Sequence, residues 1–202
     1  MDILLQADNL TKYYREGDSM LRALDSVTLT ARRGDFLTFT RPKGPGAAAL
    51  FRILAGLERP SSGKIRLCRT EITELSGEQL PAFRRRHMGL LFRECSLLPC
   101  LNLLENILLP LSLDNRQPDL PLLKQASRLL RLEDKLHLFP SQVSPVHCQR
   151  AALLRAIAAK PSIILAHQPE GCLASEERQP FLELLEIAGR EFYQTILITR
   201  EA

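Results

Sequence analysis

An α/β fold built on a mostly parallel sheet is what this sequence predicts, and three observations predict it. Ile163-Ile164-Leu165-Ala166 and Thr195-Ile196-Leu197-Ile198-Thr199 are continuous apolar runs, as strands covered on both faces require. Phe36-Leu37-Thr38-Phe39-Thr40 leads through the Pro- and Gly-containing loop Arg41 to Gly46 into a helical repeat of Leu50, Ile53, Leu54 and Leu57. Strand-like and helical segments alternate beyond that point, which is the α/β pattern.

In chain order, Val27 and Leu29 alternate with polar neighbours, and Arg33-Gly34-Asp35 turns into the strand that starts at Phe36. The helix Ala47 to Leu57 closes at Arg59-Pro60-Ser61-Ser62-Gly63, after which Ile65 and Leu67 alternate in another strand. Ser76-Gly77-Glu78-Gln79 has the spacing of a capping box and opens a helix running to about Arg86, followed by the short buried strand Met88 to Phe92. Asn102 and Glu105 form a second capping box. Leu122, Ala126, Leu129 and Leu130 mark a further helix. Ser144-Pro145 starts another, with serine as cap and proline in the first turn, and Lys160-Pro161 ends it.

A chain of 202 residues holds one α/β core and is too short for two independent ones, so residues 1–202 are read as a single domain. Its net charge of +4 does not demand a nucleic-acid partner. Arg84, Arg85 and Arg86 form either a solvated helix face or a docking patch. Five cysteines without a Cys-x-x-Cys arrangement indicate neither a disulfide framework nor a zinc site, and fit a reducing compartment. Met1 to Leu5 carries no secretion signal, and Leu97 to Leu113 is too interrupted by proline and polar residues to span a bilayer. Membrane association is therefore expected only through a partner.

A phosphate-binding loop needs Gly, four residues, Gly, Lys and then Ser or Thr, because backbone N–H groups cradle phosphates, lysine balances their charge and the hydroxyl holds magnesium. Those positions read Arg41, Gly46, Ala47 and Ala48, so the strict motif fails. Three surrounding stretches nevertheless carry a resemblance: Asn9-Leu10-Thr11-Lys12-Tyr13-Tyr14, Ala55 to Gly63 and Phe83 to Phe92. With Leu97-Leu98-Pro99, Glu105-Asn106 and Pro110-Leu111, they make essentially the whole chain resemble the ATP-binding subunits of ABC transporters, in the lipoprotein-releasing and macrolide-exporter branch.

The resemblance implies a P-loop NTPase-like core with a mostly parallel sheet, an antiparallel β subdomain and a helical subdomain at about 95–155. It implies a nucleotide site at Tyr14, as the adenine-stacking aromatic, and at Arg41, Pro42, Lys43, Gly44, Pro45, Gly46, Ala47, Ala48 and Ala49. Tyr14 read alone is as well explained as a half-buried residue at a strand end. The loop lysine falls on Ala47 and the magnesium-binding hydroxyl on Ala48, while Pro45 removes one N–H from the cradle. The loop glutamine falls on Arg93 and the signature on Ser144, Pro145, Val146 and His147. The metal-binding aspartate falls on His167, the general base on Gln168, the aspartate of the next loop on Ala174 and the switch histidine on Arg200. Family members continue past that point, which suggests C-terminal truncation.

Three expectations follow. The first is a non-catalytic, pseudoenzyme subunit that has lost ATP binding and hydrolysis, with no metal and no cofactor where the family uses ATP and magnesium. It docks on a transporter membrane subunit at the cytoplasmic face of the inner membrane and pairs with itself or with an active ABC ATPase. The second is an ABC-type ATPase with a rewired site that powers export or lipoprotein release, in which Arg41, Lys43 and Arg93 supply the missing positive charge. The third is an inactive remnant or an inactivated variant.

Overall fold

The computed structural model describes residues 2–202. Two strands, β1 (Ile3–Glu16) and β2 (Ser19–Arg32), form a long antiparallel hairpin that turns at Gly17. β1 pairs on its other edge with β4 (Ser62–Leu67), and β4 pairs with β5 (Thr70–Glu71). A second sheet is wholly parallel, in the order β3 (Phe36–Arg41), β8 (Thr195–Glu201), β7 (Ile163–His167), β6 (Met88–Leu91).

Helices fill the spaces around these sheets. They are α1 (Gly46–Leu54), α2 (Gln79–His87), α3 (Leu103–Leu113), α4 (Leu120–Leu129), α5 (Pro145–Ala158) and α6 (Ser175–Glu191). Between α4 and α5 lies a single 3₁₀ turn at Pro140–Gln142.

The apolar runs of β7 and β8 are continuous because their two faces enter different cores. Ile163, Leu165 and Leu197 point into a cluster with Leu50, Phe51, Ile53 and Leu54 of α1 and with Leu5 and Leu10 of β1. Ile164, Ala166, Ile196 and Ile198 point the other way, into a cluster with Leu103 and Ile107 of α3, Leu153, Leu154 and Ile157 of α5, and Leu185 of α6. A strand with both faces dry has no position at which a polar residue is favoured.

β1 shows no comparable pattern in the sequence. Its pairing with β2 shifts register between Ala7 and Leu10, and Asn9 takes a positive φ of 52° there. Such irregularities let Leu4, Leu5, Ala7 and Leu10 all be buried without strict alternation.

Expected helix starts are met with differences in detail. The reciprocal Ser76 and Gln79 hydrogen bonds exist, at 3.1 and 3.3 Å, but α2 itself begins at Gln79. The Asn102–Glu105 capping box opens α3 as expected, with both bonds at 2.8 Å. Ser144 occupies the cap position of α5, yet its side chain does not cap the helix. Its Oγ lies 2.7 Å from Nδ1 of His147 instead.

Candidate functional site

The carboxyl ends of the parallel strands are where an open α/β sheet places a ligand site, because the loops that leave the strands there splay apart. Strand register sets the participants. Thr40 lies opposite Arg200, Arg41 opposite Glu201, and His167 opposite Thr199. The chain leaves β3 into the loop before α1, leaves β6 into the segment that carries Arg93, and leaves β7 at Gln168.

In the loop Arg41 to Gly46, Gly44 has φ of +136°, which favours glycine, and Pro45 sits at the N-cap of α1. The first helical hydrogen bond runs from Ala49 N–H to Pro45 O at 2.8 Å. The N–H groups of Gly46, Ala47 and Ala48 therefore stand at the positive end of the helix without a protein acceptor among the described residues. Gly46 is required by close approach, since a Cβ there would lie 3.0 Å from the carbonyl of Ala23 and 3.7 Å from Nε of Arg41. Ala47 and Ala49 are buried and Ala48 is half-buried, whereas Pro42, Lys43, Gly44 and Pro45 are exposed.

Arg41 stands beside Gly46 of this loop. Its Nε is buried beside this loop and has no hydrogen-bond partner. A buried unpaired donor costs roughly 1 to 3 kcal/mol, and more where the group is charged, so an anion bound there relieves a penalty already present. Backbone donors at the start of α1 thus stand beside the buried Nε of Arg41, at the end of β3.

At the end of β7, Gln168 adopts φ of +43°. Its N–H donates to Thr199 O at 3.0 Å, and its carbonyl accepts from Gly171 N–H at 2.8 Å. Gly171 leaves room for Arg93: a Cβ at Gly171 would lie 2.6 Å from Cγ of Arg93 and 3.0 Å from its Nε. Arg93 and the Gln168 turn are therefore packed together. Arg200 lies 3.9 Å from Oε1 of Glu170, whose Oε2 is buried and unpaired. Ala174, two residues past Cys172, is the N-cap residue of α6 and offers no side-chain cap.

His167 is a packing residue. Its ring stacks on Phe51 at 5.6 Å between centroids, and its Nδ1 lies 3.0 Å from Oγ1 of Thr199. Burial lowers its pKa, with the charges of Arg52 and Arg93 acting in the same direction, so the ring is neutral near pH 7. With a methyl group at Ala48 and a stacked imidazole at His167, these two positions do not fit magnesium, which takes oxygen ligands in octahedral array. No cluster of three or more His, Cys, Asp or Glu side chains suited to a metal occurs among the described residues.

Tyr14 is half-buried at the far side of α1, with its hydroxyl committed. It donates to Oε2 of Glu58 at 2.9 Å and accepts from Arg52 at 2.8 Å, while Lys12 pairs with Oε1 of Glu58 at 2.7 Å. Burial disfavours the Glu58 carboxylate, but hydrogen bonds from Lys12, Arg52 and Tyr14 outweigh it and hold the pKa below the ordinary value. The four signature-equivalent residues start α5. Pro145 has no N–H, Val146 is buried, and His147 is engaged with Ser144.

One functional residue escaped the sequence reading. Gln149 has no exposed surface, and its Nε2 donates to the carbonyls of Phe92 at 2.9 Å and Arg93 at 3.2 Å. It joins α5 to the segment bearing Arg93. The available signal was a glutamine two residues before the small and apolar run Ala151 to Leu154 in the helix that Ser144-Pro145 starts.

Comparison with known proteins places this geometry. Residues 24–170 match a family model described as ABC transporter. The ATP-binding protein MJ0796 of Methanocaldococcus jannaschii is 30% identical over 205 residues, covering 96% of this chain and 86% of that protein. A lipoprotein-releasing system ATP-binding protein, LolD of Hydrogenovibrio crunogenus, is 32% identical over 98% of this chain and 86% of its own length. The macrolide export ATP-binding/permease protein MacB of Hyphomonas neptunium is 33% identical over 98% of this chain, which spans only 31% of that longer protein. A solved dimeric structure of MJ0796, in a post-hydrolysis state bound to ADP and Pi, superposes with a TM-score of 0.82 over 96% of this chain.

That structure corrects the expectation of a non-catalytic, cofactor-free pseudoenzyme with degenerate motifs. A relative matching nearly the full chain carries the products of ATP hydrolysis on the same fold, so the first and third expectations give way to the second. The loss of the lysine at Ala47 was given more weight than the charge at Arg41, whose buried and unpartnered Nε beside Gly46 shows only in the structure.

Proposed function

This chain belongs to the ABC transporter family, and from that membership we propose that it is an ATP-hydrolysing subunit of an exporter-type transporter, with a rewired phosphate site. The observation that carries the proposal is the buried, unpartnered Nε of Arg41 beside the free N–H groups at the start of α1. A phosphate group satisfies both at once.

In this reading Arg41 and the N–H groups of Gly46, Ala47 and Ala48 hold the phosphates. Lys43 and Arg93 add charge from the exposed side, while Tyr14 stays engaged with Glu58 and Arg52 at the last turn of α1. Gln168 orients the attacking water through its amide. Water bonds to the γ-phosphorus, the bond to the β-phosphate oxygen breaks, and the proton leaves on the phosphate product, because Gln168 cannot take it as a carboxylate does. Arg200 occupies the switch position. Ser144, Pro145 and His147 at the start of α5 face a second cassette across a dimer, as the dimeric MJ0796 structures suggest, and the MacB name suggests a permease partner.

Residues 1–202 act as one domain whose helical part is about 95–155. No helix among the described residues is long and apolar enough to cross a membrane; a permease subunit at the cytoplasmic face of the membrane is the partner in this reading. The branch is that of the lipoprotein-releasing and macrolide-export proteins, on the strength of the relatives named above.

The test is a melting curve with and without millimolar ATP, followed by phosphate release in the presence of the permease. ATP is expected to raise the melting temperature of the parent and not of Arg41→Ala, and phosphate release is expected to fall in Gln168→Ala. No ATP-dependent shift and no phosphate release in the parent would overturn the proposal.

A further inference from the structure

A cavity of about 320 Å³ lies where the end of α4 meets α5 and α6, and none of its lining residues belongs to the nucleotide site. Leu129 and Arg131 line it from the end of α4 and the turn behind it, Arg150 from α5, and Glu183, Leu184 and Ile187 from α6. Gln125 of α4 donates to Oε1 of Glu191 of α6 at 2.7 Å, which ties the two helices together one turn away from Leu129 and from Ile187. The volume stands at the low end of the range of about 300 to 1,000 Å³ in which small-molecule sites fall.

Positive charge in this lining has no partner. The Nε of Arg150 is buried and without a hydrogen-bond acceptor. Burial lowers the pKa of Arg150, and the neighbouring charge of Arg131 lowers it further, against a weaker opposing effect of Glu177. Glu183, the acid of the lining, accepts from Nε2 of Gln179 at 3.1 Å. Two guanidiniums against one carboxylate leave the lining with a single positive charge, which suits a monoanion. In the cavity beside β6 the arginines are by contrast engaged: Arg84 with the carbonyl of Gly56, Arg85 with Asp114 and Arg155 with Ser96.

The rest of the lining is apolar. Leu129 and Leu184 are half-buried, and Ile187 is 51% exposed. Leu184 and Ile187 stand three residues apart on α6 and so share one face of it. We propose that this cavity is a binding site for a small amphipathic carboxylate, with its head group on Arg131 and Arg150 and a short alkyl chain over Leu129, Leu184 and Ile187.

Both parts of such a ligand are needed. Arg131 is exposed, so a head group alone gains little from it, whereas the buried Nε of Arg150 is a donor whose desolvation is uncompensated until an acceptor arrives. The chain adds the removal of Ile187 and its neighbours from water. An occupant touches α5, α6 and the end of α4 at once and binds only where they are assembled, so it stabilises the folded chain.

The experiment is a melting curve of the purified full chain in increasing octanoate, with acetate and octanol at equal concentration as controls for the head group and the chain. Octanoate is expected to raise the melting temperature in a saturable way, and acetate and octanol to leave it unchanged. Arg131→Ala and Ile187→Ser alter exposed side chains, and each should weaken octanoate binding by roughly tenfold, the scale set by one charge-assisted hydrogen bond or one apolar side chain. Lys124→Ala removes an exposed charge of α4 outside the cavity and should bind octanoate like the parent. The measurement contains neither nucleotide nor permease, so its outcome is independent of the function proposed above. No octanoate-dependent shift, an equal shift from octanol, or undiminished octanoate binding in Arg131→Ala would overturn the proposal.

Discussion

The Nε2 of Gln149 lies 2.9 Å from the carbonyl of Phe92, in a place with no access to solvent. Phe92 in turn packs edge-on against Phe51 of α1 at 5.3 Å, and Phe51 stacks on His167. One polar side chain thus connects α5 to a stack of rings beneath the phosphate loop.

Gln149→Leu should therefore destabilise the protein by about 1 kcal/mol, because the carbonyls of Phe92 and Arg93 lose their shared donor. For a chain of this size each kcal/mol corresponds to roughly 2 to 4 °C in melting temperature. A calorimetric scan showing less than a degree of change would mean that the segment holding Arg93 is kept in place by other contacts.

His87 provides a pH signature. Burial lowers its pKa and the neighbouring charge of Arg86 adds to the effect, while its ring stacks on Phe83 at 4.4 Å and its Nδ1 lies 3.2 Å from Oγ of Ser162. A histidine with a depressed folded pKa takes up its proton more readily in the unfolded chain. Its contribution is therefore fully present above about pH 6.5 and is lost as the pH falls through the lower folded value. His147 is lowered for the same first reason and adds to the slope. The melting temperature is expected to fall between pH 7 and pH 5, and less steeply in His87→Asn; an equal slope in that variant would exclude His87 as a cause.

Gly63→Ala should be costly. Gly63 has φ of +96°, and a Cβ there would lie 2.5 Å from the carbonyl oxygen of Asn9 and 2.6 Å from that of Asp8. Both neighbours are backbone of β1, so neither can swing away. The expected loss is about 2 kcal/mol or more, read from urea unfolding. Gly77→Ala is the control, since nothing lies within 4 Å of its would-be Cβ, and a loss equal to that of Gly63→Ala would refute the steric explanation.

The parallel sheet was legible because β7 and β8 are dry on both faces, which forces apolar residues into consecutive positions. The start of α3 was legible because a capping box is local chemistry, complete within four residues. β1 was not, since its shifts of register break the alternation that a strand normally writes into a sequence. At the site, the resemblance to ABC ATPases pointed to Arg41, Arg93, His167, Gln168 and Arg200, and strand register puts Arg41, His167 and Arg200 at the carboxyl ends of neighbouring parallel strands. Spacing could not tell that Arg41 keeps a buried donor beside Gly46, or that Arg93 fills the space left by Gly171. Those facts depend on where side chains turn in three dimensions, and Arg93 and Gly171 are far apart in the chain.

Strand order has a further consequence for how the protein comes into being. β8 is the central partner of both β3 and β7, although it is the last of the described strands to be synthesised. While the ribosome is still making residues 168–194, β3 has no neighbour in its own sheet and β7 has only β6. The nascent chain must shield those bare strand edges until β8 slides between them and joins β3 to β7.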